Sequence, residues 1–468
     1  MLTLQTIMVV YLGLMLIIGI FLSRRIKNVT DFFLAGRSLG VVLCTATLAA
    51  THLGGGFILG SGEAGYLTGI SGVWYGASTG LGLLLLGLLF ASKFRALSLT
   101  TVSDYLEERY GGKTIRILTA LLSLVAIVGI LAAQVKAAEG IMVMLGFNPR
   151  ISSIVVTCIF IVYTAISGMW GVTVTDFIQV IIAGGGIVIA SILSLVKLGG
   201  FSAIRSSVEI PGYFSVSSIG YSSIIWILLP TVMYTLIGQD FLQRLFSSKN
   251  EKTARTSGIL SGTLLVVIAL APVIAGMAAQ VKFPYLDNPR AAIPTLVTEI
   301  FPPMVGGIVL AAIMAAVMST ADSLLCAGSS HLINDLYLKT GKKVKYEGKK
   351  LLALTVFSTV VLGFLSLMVA MSLPSIITAL IYAYTMFTAG VFVPVVMGLL
   401  WSKGTKFAAL SSMIVGSSMA LLGVTNVLSF GIVPVEIGAS VVSLIIYVVI
   451  TFFTGYQSNN LLSNKKMA

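Results

Sequence analysis

Charge is scarce in this 468-residue chain: 10% of its residues are Asp, Glu, Lys or Arg, while 57% are hydrophobic. Soluble domains carry about 25% charged residues, so a soluble enzyme, a disordered regulator and a fibre are excluded. Cysteine is limited to Cys44, Cys158 and Cys326, all inside apolar runs, which excludes a disulfide framework. The only two histidines, His52 and His331, form no cluster with cysteine at zinc-ligand spacing. Tryptophan occurs four times, at Trp74, Trp170, Trp226 and Trp401. Acids are the rarer charge, 16 against 29 bases, leaving a net +13. On a soluble protein that balance would suggest nucleic acid; on a membrane protein the position of the bases matters more.

What is abundant is long apolar sequence. Runs near 4–22, 39–67, 71–91, 117–138, 151–168, 174–196, 223–243, 257–280, 303–330, 351–371, 374–401, 407–427 and 434–454 predict an all-α membrane protein of about 13 transmembrane helices. The first run has no basic lead and no small-residue cleavage site, so it reads as a retained span rather than a signal peptide. Segments 24–37, 93–116, 244–255, 339–350, 403–406 and 465–466 hold 23 of the Lys and Arg residues. The alternate side holds five: Arg150, Lys197, Arg205, Lys282 and Arg290. This asymmetry predicts a multi-pass protein of the plasma (inner) membrane, with its N-terminus outside and its C-terminus cytoplasmic.

No soluble domain is legible, so 1–468 reads as one transmembrane unit. The longest polar connection is the lysine-rich Leu338–Lys350. Leu99–Gly111 is too polar to span and reads as an amphipathic surface helix with Ser103 as its N-cap. Two spans are interrupted. One carries Thr51-His52 and then Gly54-Gly55-Gly56 at its middle, and each glycine costs about 1 kcal/mol against alanine in a helix. The other carries Pro230 and Gly238, followed by Gln239-Asp240. Interrupted spans at matching places in two halves, 39–196 and 223–401, point to a transporter binding site; close helix packing on glycine is the alternative. Segment 1–38 is then an extra N-terminal helix and loop, and 407–468 two further helices and a tail.

Against so little charge, the polar residues inside apolar runs stand out: His52, Glu63, Lys136, Glu139, Asp176 and Asp322. Ala316, Ser319, Thr320 and Ser323 recur at helical spacing beside Asp322, giving one helix face rich in oxygen. Such a face, set against carbonyls freed by a broken helix, suits a small hard cation. Lys136 and Glu139, at i and i+3, read either as a mutual ion pair or as a lysine left to hold a substrate carboxylate. Glu63 reads as a gate residue or a snorkelled acid. His331, at a helix end, reads as solvated.

Five segments, ATHLGGGFILGSGEAGYLTG, LTTVSDYLEERYG, SGMWGVTVTDFIQ, GQDFLQRLFSSKN and AAVMSTADSLLCAGSSHLINDLY, stand in the order found in the sodium:solute symporter family. The chain resembles that family over nearly its whole length. The resemblance implies a LeuT-like 5+5 inverted repeat with broken first and sixth core helices. It also implies a main sodium site built from the carbonyls of Ala50, Leu53 and Ala316 and the hydroxyls of Ser319 and Thr320. Some members hold a second sodium ion, and the matching positions here are Asp176, Ser319, Asp322 and Ser323. Thirteen spans match the proline and sialic acid branches. The acid and tryptophan of the proline transporters are replaced by His52 and Gly56. The GGG and STADS stretches look closest to the choline branch, but the tryptophan cage that holds a quaternary amine is missing.

The expected function is therefore sodium-coupled symport of a small organic solute, an amino acid or small organic anion, by alternating access. Na+ is the coupling ion and the only metal. The partners are solute, sodium and lipid bilayer, with no nucleic acid. Thr51, His52, Gly55, Gln134, Lys136, Tyr234 and Gln239 are the expected substrate contacts. Competing readings are a choline-like or sugar solute, proton coupling, and a channel or sensor on the same scaffold. No nucleophile–base constellation supports an enzyme.

Overall fold

The computed structural model describes residues 2–339, 347–372 and 376–455, with only the backbone of 376–383. Lys342, Lys343, Lys345, Lys465 and Lys466, part of the predicted basic asymmetry, lie outside the described residues, as does the middle of the 338–350 connection. The described chain is all helix, apart from one isolated bridge between Leu39 and Ser248. Its principal helices begin with α1 (Leu2–Leu22), α2 (Val29–Leu34), α3 (Val41–His52), α4 (Gly56–Ala96), α5 (Val102–Tyr110) and α6 (Lys113–Met144). Then come α7 (Pro149–Lys197), α8 (Phe201–Ser207), α9 (Tyr221–Ile237), α10 (Gln239–Ser247), α11 (Glu251–Lys282) and α12 (Ala292–Ile300). The chain continues through α13 (Pro303–Leu338), α14 (Gly348–Ser372), α15 (Tyr384–Leu400), α16 (Lys406–Val424) and α17 (Val435–Thr454).

The expected count of about thirteen spans is corrected. Among the described residues nine helices are long and apolar enough to cross a membrane, or ten if α9 and α10, bent by 44°, count as one. The difference lies where glycine or polar residues were read as span boundaries. The apolar helical stretch 56–96 contains a non-helical Gly69 (φ 67°, ψ −139°), and the stretch 149–197 is two helices meeting across a kink at Gly168 (φ 49°, ψ −156°), with no connecting loop in either. Conversely, α3 has only 12 residues, about 18 Å at 1.5 Å per residue, against the ~30 Å of a hydrocarbon core.

The centre of the bundle is α13, in which every residue from Val309 to His331 is buried. A helix apolar all round belongs inside, and α13 lies against α1, α3, α6 and α7. The large apolar side chains left exposed sit on the outer helices: Ile17 and Phe21 on α1, Ile181 and Ile189 on α7, Val267 on α11. In a bilayer these face lipid, where every backbone group must be satisfied within the protein.

Both predicted breaks are present. After α3, Leu53 leaves helical geometry (φ −74°, ψ 49°), and α4 opens with a wide π turn, Gly56–Gly60. Between α9 and α10, Gly238 is extended (φ −60°, ψ 129°). The start of α3 is tied to the end of α10: Leu39 N–H donates to Ser247 O (3.1 Å) and Lys249 N–H donates to Leu39 O (3.0 Å).

Two local expectations change. The N-cap of α5 is Thr101, not Ser103. Its hydroxyl accepts from Asp104 N–H, while the Asp104 carboxylate accepts from Thr101 N–H, a capping box. His331 is wholly buried rather than solvated.

Candidate functional site

The last carbonyls of a helix have no partner within it, and α3 ends in mid-protein. There Gly55 N–H, which a continuing helix would aim at Thr51 O, donates instead to Gln134 Oε1 on α6 (3.2 Å). The freed carbonyls meet α13. Ser319 Oγ lies 3.0 Å from Ala50 O and 2.9 Å from Ala316 O. Thr320 Oγ1 lies 3.0 Å from Thr51 O and 3.3 Å from Ala316 O. Five oxygens from two helices thus converge. Gly54 makes this possible, because a Cβ there would stand 2.4 Å from Thr320 Oγ1.

Of the oxygens expected at this point, Ala50, Ala316, Ser319 and Thr320 come together. Leu53 is beside them in sequence, but the carbonyl that meets Thr320 belongs to Thr51. The break predicted freed carbonyls. Which ones are freed depends on where the chain turns.

Next to this face lie two wholly buried carboxylates. Asp176 Oδ2 accepts from Thr47 Oγ1 (2.5 Å), and Asp322 Oδ1 accepts from Thr164 Oγ1 (3.0 Å). The second oxygen of each, Asp176 Oδ1 and Asp322 Oδ2, has no hydrogen-bond partner, nor does Gln179 Oε1 on α7. Buried polar groups are nearly always paired, and a buried charge without a partner is far more costly than a buried amide. Carboxylate oxygens are among the ligands that a hard cation takes. Ser323 Oγ is 3.1 Å from Thr51 Oγ1 and accepts from Arg244 Nη2.

The expected substrate contacts divide. Thr51, Gly55 and Gln134 stand at the break, as described. His52 Nε2 is 2.9 Å from Thr235 Oγ1, and its ring lies over Phe241 at 4.2 Å. Tyr234 OH donates to Asp240 Oδ1 (3.2 Å), and its ring meets Tyr384 and Phe387 edge-on. These residues make an aromatic wall across the two breaks. Lys136 is engaged elsewhere: its Nζ is 3.0 Å from Glu139 Oε2, which also accepts from Ser153 Oγ. Gln239 turns away from the wall. Its Nε2 donates to Thr100 O (3.0 Å) and Ser330 Oγ (3.1 Å), and its Oε1 accepts from Val102 N–H (2.9 Å). Glu63 pairs with Arg290 at 3.1 Å. Thr47, Thr164, Thr235, Phe241 and Arg244 were not foreseen. Arg244, four residues after Asp240, reads in sequence as a loop base.

A second buried cluster joins α5, α6 and the end of α13. Arg116 is paired with Asp104 Oδ1 (2.5 Å), Asp335 Oδ1 (2.7 Å) and Glu107. Asp104 Oδ2 accepts from Thr100 N–H (3.0 Å) and Asn334 Nδ2 (3.1 Å). Thr101 Oγ1 donates to Asp335 Oδ1 (2.8 Å), and His331 Nδ1 is 2.6 Å from Asp335 Oδ2.

This architecture is shared by solved transporters. A substrate-bound, outward-open structure of a Na+-coupled sialic acid symporter superposes with a TM-score of 0.86 over 98% of this chain and 99% of that one, at 20% identity. Among curated proteins, the high-affinity proline transporter of Bacillus subtilis is 28% identical over 87% of this chain and 89% of its own length. The sodium/pantothenate symporter of Escherichia coli is 29% identical over 92% of each. Residues 32–416 match the model of the sodium:solute symporter family. The chain therefore belongs to the sodium:solute symporter family: it is a multi-pass membrane protein, not an enzyme, and performs sodium-coupled secondary transport of a small organic solute.

Proposed function

We propose that sodium binds where α3 breaks against α13, among Ala50, Leu53, Thr51, Ala316, Ser319 and Thr320, and that a second ion is drawn by Asp176 and Asp322 with Ser319 and Ser323. The observation that carries this reading is the crossing of the Ser319 and Thr320 hydroxyls to the Ala50 and Thr51 carbonyls. Oxygens of neutral groups and carboxylates are what a hard cation takes. A sodium ion there would bridge α3 and α13, so its binding would favour the conformation in which the two helices touch. Segments 39–196 and 223–401, each holding one break, would then move against each other. Each charge carried inward gains ~2.3 kcal/mol per 100 mV of membrane potential.

The solute would sit at the aromatic wall, among Thr51, His52, Gly55, Gln134 and Tyr234, joined by Thr235 and Phe241. An amino acid or small organic carboxylate fits the names of the proline and pantothenate relatives. Lys136 and Gln239, both already paired, would act only after rearrangement. The excess of basic residues on one side supports an external N-terminus and a cytoplasmic C-terminus.

Uptake into proteoliposomes tests this reading. An imposed sodium gradient should drive saturable accumulation of one of L-proline, pantothenate, sialic acid or choline. Accumulation that ignores sodium and follows a pH gradient would replace it with proton coupling.

A further inference from the structure

Arg244 is the residue that the transport reading leaves unexplained. It lies on α10, it is wholly buried, and it joins none of the ion pairs found among the described residues. A buried guanidinium without a carboxylate partner is rare, because removing the charge from water is expensive. Its Nη1 donates to Asp240 O (2.6 Å), two residues past the Gly238 break, and its Nη2 donates to Ser323 Oγ. Its Nε has no partner.

The hydroxyls beyond it have a fixed order, because each has one proton. Thr51 Oγ1 donates to Thr47 O (2.7 Å), so in its contact with Ser323 it must accept. Ser323 therefore donates to Thr51 and accepts from Arg244. The chain ends at the Thr47 carbonyl; the Thr47 hydroxyl, a separate group of the same residue, donates to Asp176. A single directed chain runs from Arg244 through Ser323 and Thr51 to Thr47, joining α10, α13 and α3, with Thr47 beside Asp176 on α7. Arg244 forms no ion pair with Asp176, Asp240 or Asp322, but the Ser323 that it holds is the neighbour of Asp322 in α13.

We propose that Arg244 is a positioning residue for sodium: it is the resident cation beside the Asp176–Asp322 pair and sets how strongly that pair holds a mobile one. With the guanidinium in place, its fixed positive charge offsets part of the negative charge that Asp176 and Asp322 offer a cation. Remove the guanidinium, and the pair attracts cations more strongly. Its grip on Asp240 O and Ser323 also makes the strength of that attraction depend on how α10 sits against α13.

The inference rests on reading Asp176 and Asp322 as cation ligands. The test is 22Na+ binding to purified full-length protein in nanodiscs, with sodium as the only probe. Arg244→Gln should tighten sodium binding, and Asp322→Asn should weaken it, each by roughly three- to tenfold for a buried charge. The double variant should return to near the wild-type affinity. A merely structural arginine would not be rescued by removing an acid that it does not touch. Arg244→Lys, which keeps the charge and loses the fork, should stay within about twofold of wild type. If Arg244→Gln does not fold, the double variant and Arg244→Lys decide. Sodium binding weakened in Arg244→Gln, or a double variant no closer to wild type than either single one, overturns the proposal. Unchanged binding in both Asp176→Asn and Asp322→Asn overturns instead the reading of the carboxylates.

Discussion

Two buried acidic regions share one helix and are built in opposite ways. Around Asp335, near the end of α13, Arg116 faces three carboxylates, and hydrogen bonds from Thr100, Thr101 and Asn334 add to it, leaving His331 Nε2 as the cluster's one buried atom without a partner. Around Asp322, on the same helix, each of two carboxylates keeps one oxygen with no partner, and the nearby arginine is bound to a carbonyl and a serine instead. A satisfied buried network makes one arrangement unique; an incompletely satisfied one is costly. On the proposed reading, the region with unpaired carboxylate oxygens takes the ion, and the Arg116 cluster fastens α5 and α6 to α13.

The largest expected effect comes from breaking the satisfied region. Arg116→Met leaves buried acids uncompensated and should lower stability by about 3–5 kcal/mol, with or without sodium, as read by thermal unfolding in detergent. Stability unchanged within error would show that the cluster does not hold the fold.

The unsatisfied region should respond with the opposite sign. Asp322→Asn removes an acid that has an orphan oxygen, and should raise sodium-free stability by ~1–3 kcal/mol, the penalty of an unpaired buried group. A loss of sodium-free stability would mean that Asp322 is satisfied in the membrane.

Sodium affinity separates the hydroxyl face from both. Ser319→Ala or Thr320→Ala should each weaken the sodium dependence of uptake by about five- to thirtyfold, equivalent to ~1–2 kcal/mol per lost ligand. If both leave it unchanged, the ion binds elsewhere.

A finer contrast lies within the glycine triplet. A Cβ at Gly54 would overlap Thr320 Oγ1, whereas one at Gly56 would meet only Tyr75 OH at 3.5 Å, an ordinary contact. Gly54→Ala should cost ~1–3 kcal/mol of overpacking and depress uptake, while Gly56→Ala should be tolerated. Equal effects would show that the triplet serves helix flexibility rather than this contact.

Lys136→Met should have the smallest effect, no more than about twofold on substrate affinity, because partly exposed pairs such as Lys136–Glu139 contribute ~0–1 kcal/mol. A loss confined to substrate affinity and larger than tenfold would return Lys136 to the role of carboxylate holder.

Much of the site was legible because it follows helical spacing. Ser319 and Thr320 lie three and four residues after Ala316, so they had to share its face. The glycine triplet marked where α3 would expose carbonyls. The Lys136–Glu139 pair followed from i, i+3 spacing alone. What could not be read depends on contacts between distant segments. The choice of the Thr51 carbonyl over Leu53 is set by where α3 turns against α13, and the pairing of Gln239 with α5 and the reach of Arg244 to Ser323 by how α10 packs on its neighbours. Counting spans failed for a related reason. Gly69, Gly168 and Gly238 all leave helical geometry, yet only Gly238 follows a helix with a proline in its interior, Pro230, and none of them tells from sequence alone whether two spans or one broken span meet there.

The central claim is that α13 carries a sodium-dependent region and a sodium-independent one. It is tested most directly by thermal stability of the purified protein in sodium chloride and in potassium chloride at equal ionic strength. Wild type should be stabilised by sodium, following RT ln(1 + [Na+]/Kd). Arg116→Met should unfold at lower temperature yet keep the sodium shift, and Asp322→Asn and Ser319→Ala should lose most of it. A full sodium shift in both Asp322→Asn and Ser319→Ala would contradict the account.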